Sequence, residues 1–148
     1  MGKYIIFSCN QQKLAVPIEV TDKILLFEKP TRVPDTSKYL LGVLPYEGKR
    51  LGVIDLKKRL FQDKLQPDED SKIMVVHWKG IKLGLAVENV MTVREFEEQA
   101  NKKAVKDGEV TDYIIEMFQT NEEIIMHIDV DQLLSDEGIQ EMKRILEK

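Results

Sequence analysis

The chain carries its own pattern twice, and this constrains its fold more than any other feature. In one register Lys3-Tyr4-Ile5-Ile6-Phe7 falls on Lys72-Ile73-Met74-Val75-Val76, and Lys13-Leu14-Ala15-Val16-Pro17-Ile18-Glu19 falls on Lys82-Leu83-Gly84-Leu85-Ala86-Val87-Glu88. Phe27-Glu28 then meets Phe96-Glu97. A second register sets Tyr39-Leu40-Leu41 on Tyr113-Ile114-Ile115, Ile54-Asp55 on Ile128-Asp129, and Leu60 on Leu134. Either block alone is a weak match. Together they preserve order, spacing and apolar alternation, which marks an internal duplication. Duplicated halves place function at their seam or on a shared surface rather than in one catalytic pocket.

Short alternating stretches fill the first three quarters. Tyr4 to Cys9 reads as a strand, and Leu14, Val16 and Ile18 line one face of the next. Pro17 in that second strand predicts an edge, a bulge or an amide that faces outward. Further strands are expected at Ile24 to Phe27, Tyr39 to Leu44, Leu51 to Asp55, Lys72 to Trp78, Ile81 to Val87, Val90 to Phe96, Tyr113 to Thr120 and Glu123 to Asp129. Lys79-Gly80 has the chemistry of a tight hairpin turn. Turns every eight to twelve residues or so predict small antiparallel barrels. The polar, acidic connector Gln66 to Ser71 separates repeat halves at about 1–66 and 72–134, with exchange of terminal strands between them left open. Ser135 then caps an expected helix over 135–148, with Asp136 and Glu137 in its first turn and Lys143, Arg144 and Lys148 toward its end. Ile139, Met142 and Leu146 give it an apolar stripe to pack on the body of the protein.

The chemistry of catalysis is missing from this pattern. His77 and His127 have no histidine or cysteine at ligand spacing, so no metal is expected. Cys9 is the single cysteine and reads as a small packed side chain. Asp55 and Asp129 occupy equivalent positions at strand ends before short leucine-bearing helices, where an aspartate caps. No phosphate loop or nucleophile elbow occurs, and no cofactor is implied. Gly42 and Gly84, within strands, predict close backbone approach or a bulge. A net charge of −4 over 148 residues argues against nucleic acid as a partner. The basic stretch Asn101 to Lys106 is expected to be a solvated loop or helix surface. With no leader peptide or membrane-length apolar run, the expected setting is the cytoplasm. These features favour a binding module over an enzyme.

Tyr39-Leu40-Leu41-Gly42-Val43-Leu44-Pro45-Tyr46-Glu47-Gly48, followed by Val53-Ile54-Asp55-Leu56, resembles the signature of the CheW-like chemotaxis coupling domain. Leu14 to Ile18, Leu83 to Val90, Tyr113 to Ile115 and Met126 to Leu134 resemble further strands of the same family, so the likeness spans nearly the whole chain. It implies an all-β fold of two five-stranded SH3-like barrels around a shared core, closed by the C-terminal helix. It also implies a non-catalytic, stand-alone adaptor that joins the cytoplasmic hairpin tip of a chemoreceptor to the regulatory domain of the histidine kinase CheA. Positional carry-over makes Thr21, Lys23, Ile24, Gly42, Tyr46 and Glu47 the candidate partner-binding residues. One departure stands out: Glu47 lies where the family usually has arginine, and Gly52 where it has proline. The alternatives are a divergent scaffold in another two-component pathway and, below it, a twin barrel for single-stranded nucleic acid. The second would need exposed aromatics interleaved with basic residues.

Overall fold

The computed structural model describes residues 2–96, 102–104 and 113–147. The chain forms β1 (Gly2–Cys9), β2 (Gln12–Pro17), β3 (Thr21–Leu26), β4 (Leu40–Tyr46), β5 (Lys49–Asp55), α1 (Leu56–Phe61), β6 (Lys72–Trp78), β7 (Ile81–Val87), β8 (Asn89–Phe96), β9 (Lys102–Ala104), β10 (Ile114–Gln119), β11 (Ile124–Ile128) and α2 (Asp136–Glu147). The all-β class with a C-terminal helix is as expected. Three hairpins close through two-residue turns with positive φ at both positions: Asn10-Gln11, Glu47-Gly48 and Lys79-Gly80. Such turns match the right-handed twist of their strands.

The strands form two sheets, β8-β1-β2-β11-β10-β9 and β3-β6-β7-β5-β4. The duplication is visible in that order. Under the sequence registers β1 corresponds to β6, β2 to β7, β3 to β8, β4 to β10 and β5 to β11, so both sheets share one topology. Apart from β9, which has no counterpart in the first repeat, each sheet combines two strands from one repeat with three from the other. The parallel pairs β2–β11 and β5–β7 are the counterparts that join the repeats. The amides of Asp55 and Asp129 donate to the carbonyls of Tyr39 and Tyr113, both at 2.7 Å.

One expectation changes, and one is narrowed to fewer of its alternatives. Lys102 to Ala104 form β9, a sixth strand on β10, in place of the solvated loop or helix surface read from their charge; Asn101, Val105 and Lys106 lie outside the described residues. β2 is an interior strand despite Pro17. The proline sits at its last position, opposite Tyr4 of β1 and past Lys13 to Ala15 where β11 pairs, so no bond to β11 needs its missing amide.

Alternation in the strands sorts side chains into three cores. Ile5, Phe7 and Cys9 from β1 join Met74, Val76 and Trp78 from β6 in a large cluster shared by the two sheets. The opposite face of β6 sends Ile73 and Val75 into a core of the five-stranded sheet alone. Tyr4 and Ile6 enter a core of the six-stranded sheet with Phe96 and Phe118, whose rings stack at 4.0 Å. Strands buried on both faces explain the near-continuous apolar runs at Ile5-Ile6-Phe7 and Ile73 to Val76.

Both aspartates cap as expected. The Asp55 carboxylate accepts from the amides of Lys58 at 3.0 Å and Leu65 at 2.8 Å, fixing α1 and the segment after it. Asp129 accepts from the Asp131 amide at 3.0 Å, at the start of a single 3-10 turn. Ser135 Oγ accepts from the Gly138 amide and caps α2. Helix α2 packs through Met142 in the shared core. Two glycines make room for it: a Cβ on Gly52 would lie 2.2 Å from Met142 Sδ, and one on Gly138 would lie 2.1 Å from Tyr39 Oη. Among the described residues no helix is long and apolar enough to cross a membrane.

Candidate interaction surface

The five-stranded sheet has β3 at one edge and β4 at the other, and a compact polar cluster joins them. Tyr46, the last residue of β4, donates its hydroxyl to Asp22 Oδ2 on β3 at 2.5 Å. Lys82, near the start of β7, places its ammonium 3.3 Å from Asp22 and 2.6 Å from Glu47 Oε1. The same ammonium lies 5.5 Å from the centre of the Tyr46 ring, and that of Lys23 lies 5.8 Å from it. The sheet therefore curls until its edge strands meet through side chains, with Tyr46 packed against the core beneath.

The electrostatics follow from these contacts. The Tyr46 hydroxyl, with help from Lys82, holds the Asp22 carboxyl below the usual range. Burial foremost, and then the bond to Asp22, pushes the Tyr46 phenol up to about 12. The bond to Glu47 leads in raising Lys82. The cluster is thus a set of paired charges about a phenol held protonated well past neutral pH.

Of the residues picked out from sequence, Lys23, Tyr46 and Glu47 meet in this cluster. Thr21 and Ile24 flank them on β3; Thr21 is half-buried, and Ile24 is 42% exposed beside Leu26 at 75%. Gly42 sits apart, buried in β4 at a register shift with φ of +142°. A Cβ there would stand 2.0 Å from the Thr31 carbonyl oxygen, so its role is to let the β3–β4 connection lie on the strand. Glu47 is folded back on Lys82 rather than freely solvated.

Asp22 and Lys82 went unnoticed in the sequence, yet a signal for Lys82 was present. The duplication aligns it with Lys13, and Lys13 pairs with Glu123, just after the β10–β11 turn, as Lys82 pairs with Glu47 in the β4–β5 turn. Arg94 on edge strand β8 reaches the same Glu123 at 2.5 Å. In both sheets a glutamate at a hairpin end holds a central-strand lysine, while the edge strand joins through Arg94 to that glutamate in one sheet and through Asp22 to Tyr46 and Lys82 in the other. Nothing in the spacing of Asp22 marks it, because its partner Tyr46 is distant in sequence.

At the seam of the repeats, the Arg59 guanidinium lies 5.9 Å from the Tyr39 ring and 5.4 Å from the Tyr113 ring, the two tyrosines that the duplication equates. Its Nε donates to the Leu133 carbonyl at 2.5 Å. An open cleft of about 1100 Å³ adjoins the Tyr46-Glu47 turn, between the β4–β5 and β6–β7 hairpins and the end of α2.

These features define a two-sheet β protein in which the polar cluster of Asp22, Tyr46, Glu47 and Lys82 links the two edge strands of one sheet. The CheW-like domain model matches residues 3–138. The chain is 32% identical over 142 residues to the chemotaxis protein CheW of Bacillus subtilis, covering 93% of this chain and 90% of that protein. It is 22% identical over 137 residues to the chemotaxis protein CheW of Klebsiella aerogenes, covering 91% and 82%. The crystal structure of the scaffolding protein TtCheW from Thermoanaerobacter tengcongensis superposes with a TM-score of 0.82 at 26% identity, covering 93% of this chain and 94% of that one. The chain belongs to the CheW-like domain family.

Proposed function

We propose that this protein is a non-catalytic adaptor of chemotaxis signalling that couples chemoreceptors to the histidine kinase CheA. The carrying observation is the family match over residues 3–138, and the surface cluster of Tyr46, Asp22, Lys82 and Glu47 supports a docking role. The relatives' names, a chemotaxis protein and a scaffolding protein, point the same way. In this reading Thr21, Lys23, Ile24, Tyr46 and Glu47 contact partners directly. Gly42 contributes by fixing the course of β4 behind them. The partners are the receptor's cytoplasmic hairpin tip and the kinase's regulatory domain, and the adaptor works in the cytoplasm without inserting into a membrane.

The test is capture of a receptor hairpin fragment and of the kinase regulatory domain, separately and together. Retention of at least one fragment, lost or weakened by Glu47→Arg or Ile24→Ser, is the expected result. Failure to retain either fragment would overturn the adaptor reading. Glu47→Arg also sets a second cation beside Lys82, so its effect on binding should shrink as salt is raised.

A further inference from the structure

The cleft beside the Tyr46-Glu47 turn has a composition of its own. Leu51 and Leu146 contribute to its apolar lining with Ile81, which is 38% exposed. Its basic residues include Lys49, Arg50 and Lys82. Lys82 is matched by Glu47 and Asp22. Lys49 and Arg50 pair with no carboxylate among the described residues; Arg50 Nη1 donates only to the carbonyl of Ile145 in α2, at 2.9 Å. A chain with net charge of −4 thus has, among the described residues, two cations without a carboxylate partner at the mouth of a largely apolar cleft. At about 1100 Å³ and open to solvent, the cleft lies at the upper end of the roughly 300–1,000 Å³ of ligand pockets.

We infer that this cleft takes an acidic amphipathic helix from a partner protein, its apolar stripe against Ile81 and Leu146 and its carboxylates against Lys49 and Arg50. Charge complementarity selects the occupant. A basic segment would meet two like charges, and a wholly apolar one would strip water from two cations without pairing them. An amphipathic helix presents both kinds of group along one flank at spacings of three and four residues or so. The inference deepens the adaptor reading by giving the partner chemistry of this side of the surface, and it rests on that reading for the partner's biological origin.

Fluorescence anisotropy on the intact chain provides the test. One probe is a dye-labelled helical peptide of leucine and glutamate with an amphipathic pattern, and the other is its leucine–lysine counterpart. Saturable binding of the glutamate probe alone is expected, weakened about tenfold by Lys49→Glu and losing its salt dependence in that variant. Ile81→Ser should weaken binding while keeping the salt dependence. Equal binding of both probes, indifference to both substitutions, or no saturable binding would overturn the inference. Lys49 and Ile81 are exposed, so both variants are expected to keep the thermal midpoint of the parent. Retention of a receptor or kinase fragment by a chain whose cleft ignores the probes would sink the inference and leave the adaptor reading intact. Probe binding without retention of either fragment would do the reverse.

Discussion

Glu47 occupies a backbone position that suits few side chains. Its φ of +50° and the +77° of Gly48 close the β4–β5 hairpin, and a first turn residue of this kind is usually asparagine, aspartate or glycine. Left-handed backbone at a residue with a Cβ costs on the order of 1 kcal/mol, and the partner it gains, Lys82, is a partly exposed cation. Glu47→Asn is therefore expected to raise unfolding free energy by about 1 kcal/mol, read as a higher denaturant midpoint. A lower midpoint would show that the tie to Lys82 outweighs the strain. The neighbouring Tyr46 gives a pH signature. A free tyrosine ionises near pH 10 or so, whereas burial and the bond to Asp22 hold this one near 12. The folded state keeps the proton longer, so the phenol stabilises it fully below about pH 10, and that contribution fades as pH climbs through about 12. Ultraviolet titration should show a late-ionising tyrosine that disappears in Tyr46→Phe, and alkaline unfolding should lose part of its steepness in the same variant. An unchanged late titration would assign it elsewhere, with Tyr4, also raised by burial, the first alternative.

At the scale of elements, helix α2 is held by fit more than by length. Gly138 faces Tyr39 so closely that an added methyl would stand 2.1 Å from Oη, while its other near contacts, at 3.3 Å and 3.4 Å, are ordinary to tight. Glycine within a helix normally costs roughly 0.5–1 kcal/mol relative to alanine, so Gly138→Ala would stabilise a helix that merely rested on solvent. Here the expected result is a loss of about 1–3 kcal/mol, because the hydroxyl must move. Tyr39→Phe removes that oxygen, which is buried without a protein partner among the described residues, and the double variant should recover most of the loss. Additive losses in a thermal-unfolding cycle would refute the contact. Elements of this kind were legible in sequence to the extent that local pattern fixed them. β6 and β7 have the expected bounds, and Asp55 and Ser135 cap where their side chains predict. β9 was hidden because a short lysine-rich strand at a sheet edge has no alternating apolar face to read. The clearance for Met142 at Gly52 was equally invisible, since it depends on a helix that follows far along the chain. The surface cluster divides along the same line: Tyr46 and Glu47 share a turn that sequence could single out, whereas Asp22 and Lys82 join them only once the sheet curls.

For the whole molecule the expectation is that neither repeat folds as a separate unit. Each sheet takes strands from both repeats, and the shared core contains Cys9 from the first and Trp78 from the second, both almost wholly buried. Arg59 binds the seam directly, between the equivalent tyrosines of the two repeats and on the Leu133 carbonyl. Two cation–π contacts at about 0.5–1 kcal/mol each and one hydrogen bond from a charged donor at about 1.5–3 kcal/mol put the cost of Arg59→Ala at roughly 2.5–5 kcal/mol. Lysine would not rescue it, because an ammonium cannot stack between two rings while donating from a fixed fork. The native probes report whether that cost falls on one structure or two. Cys9 has its thiol pushed up to about 12, by burial first and by Glu88 and Asp55 after it, so it should resist thiol reagents until the core opens. Trp78 is the only tryptophan, and its fluorescence follows the same core from the other repeat. In denaturant, equilibrium Cys9 accessibility and Trp78 emission should trace one transition, and Arg59→Ala should shift both curves together with an unchanged slope. Labelling of Cys9 at a denaturant concentration where Trp78 is still native would separate the repeats and contradict a shared cooperative core.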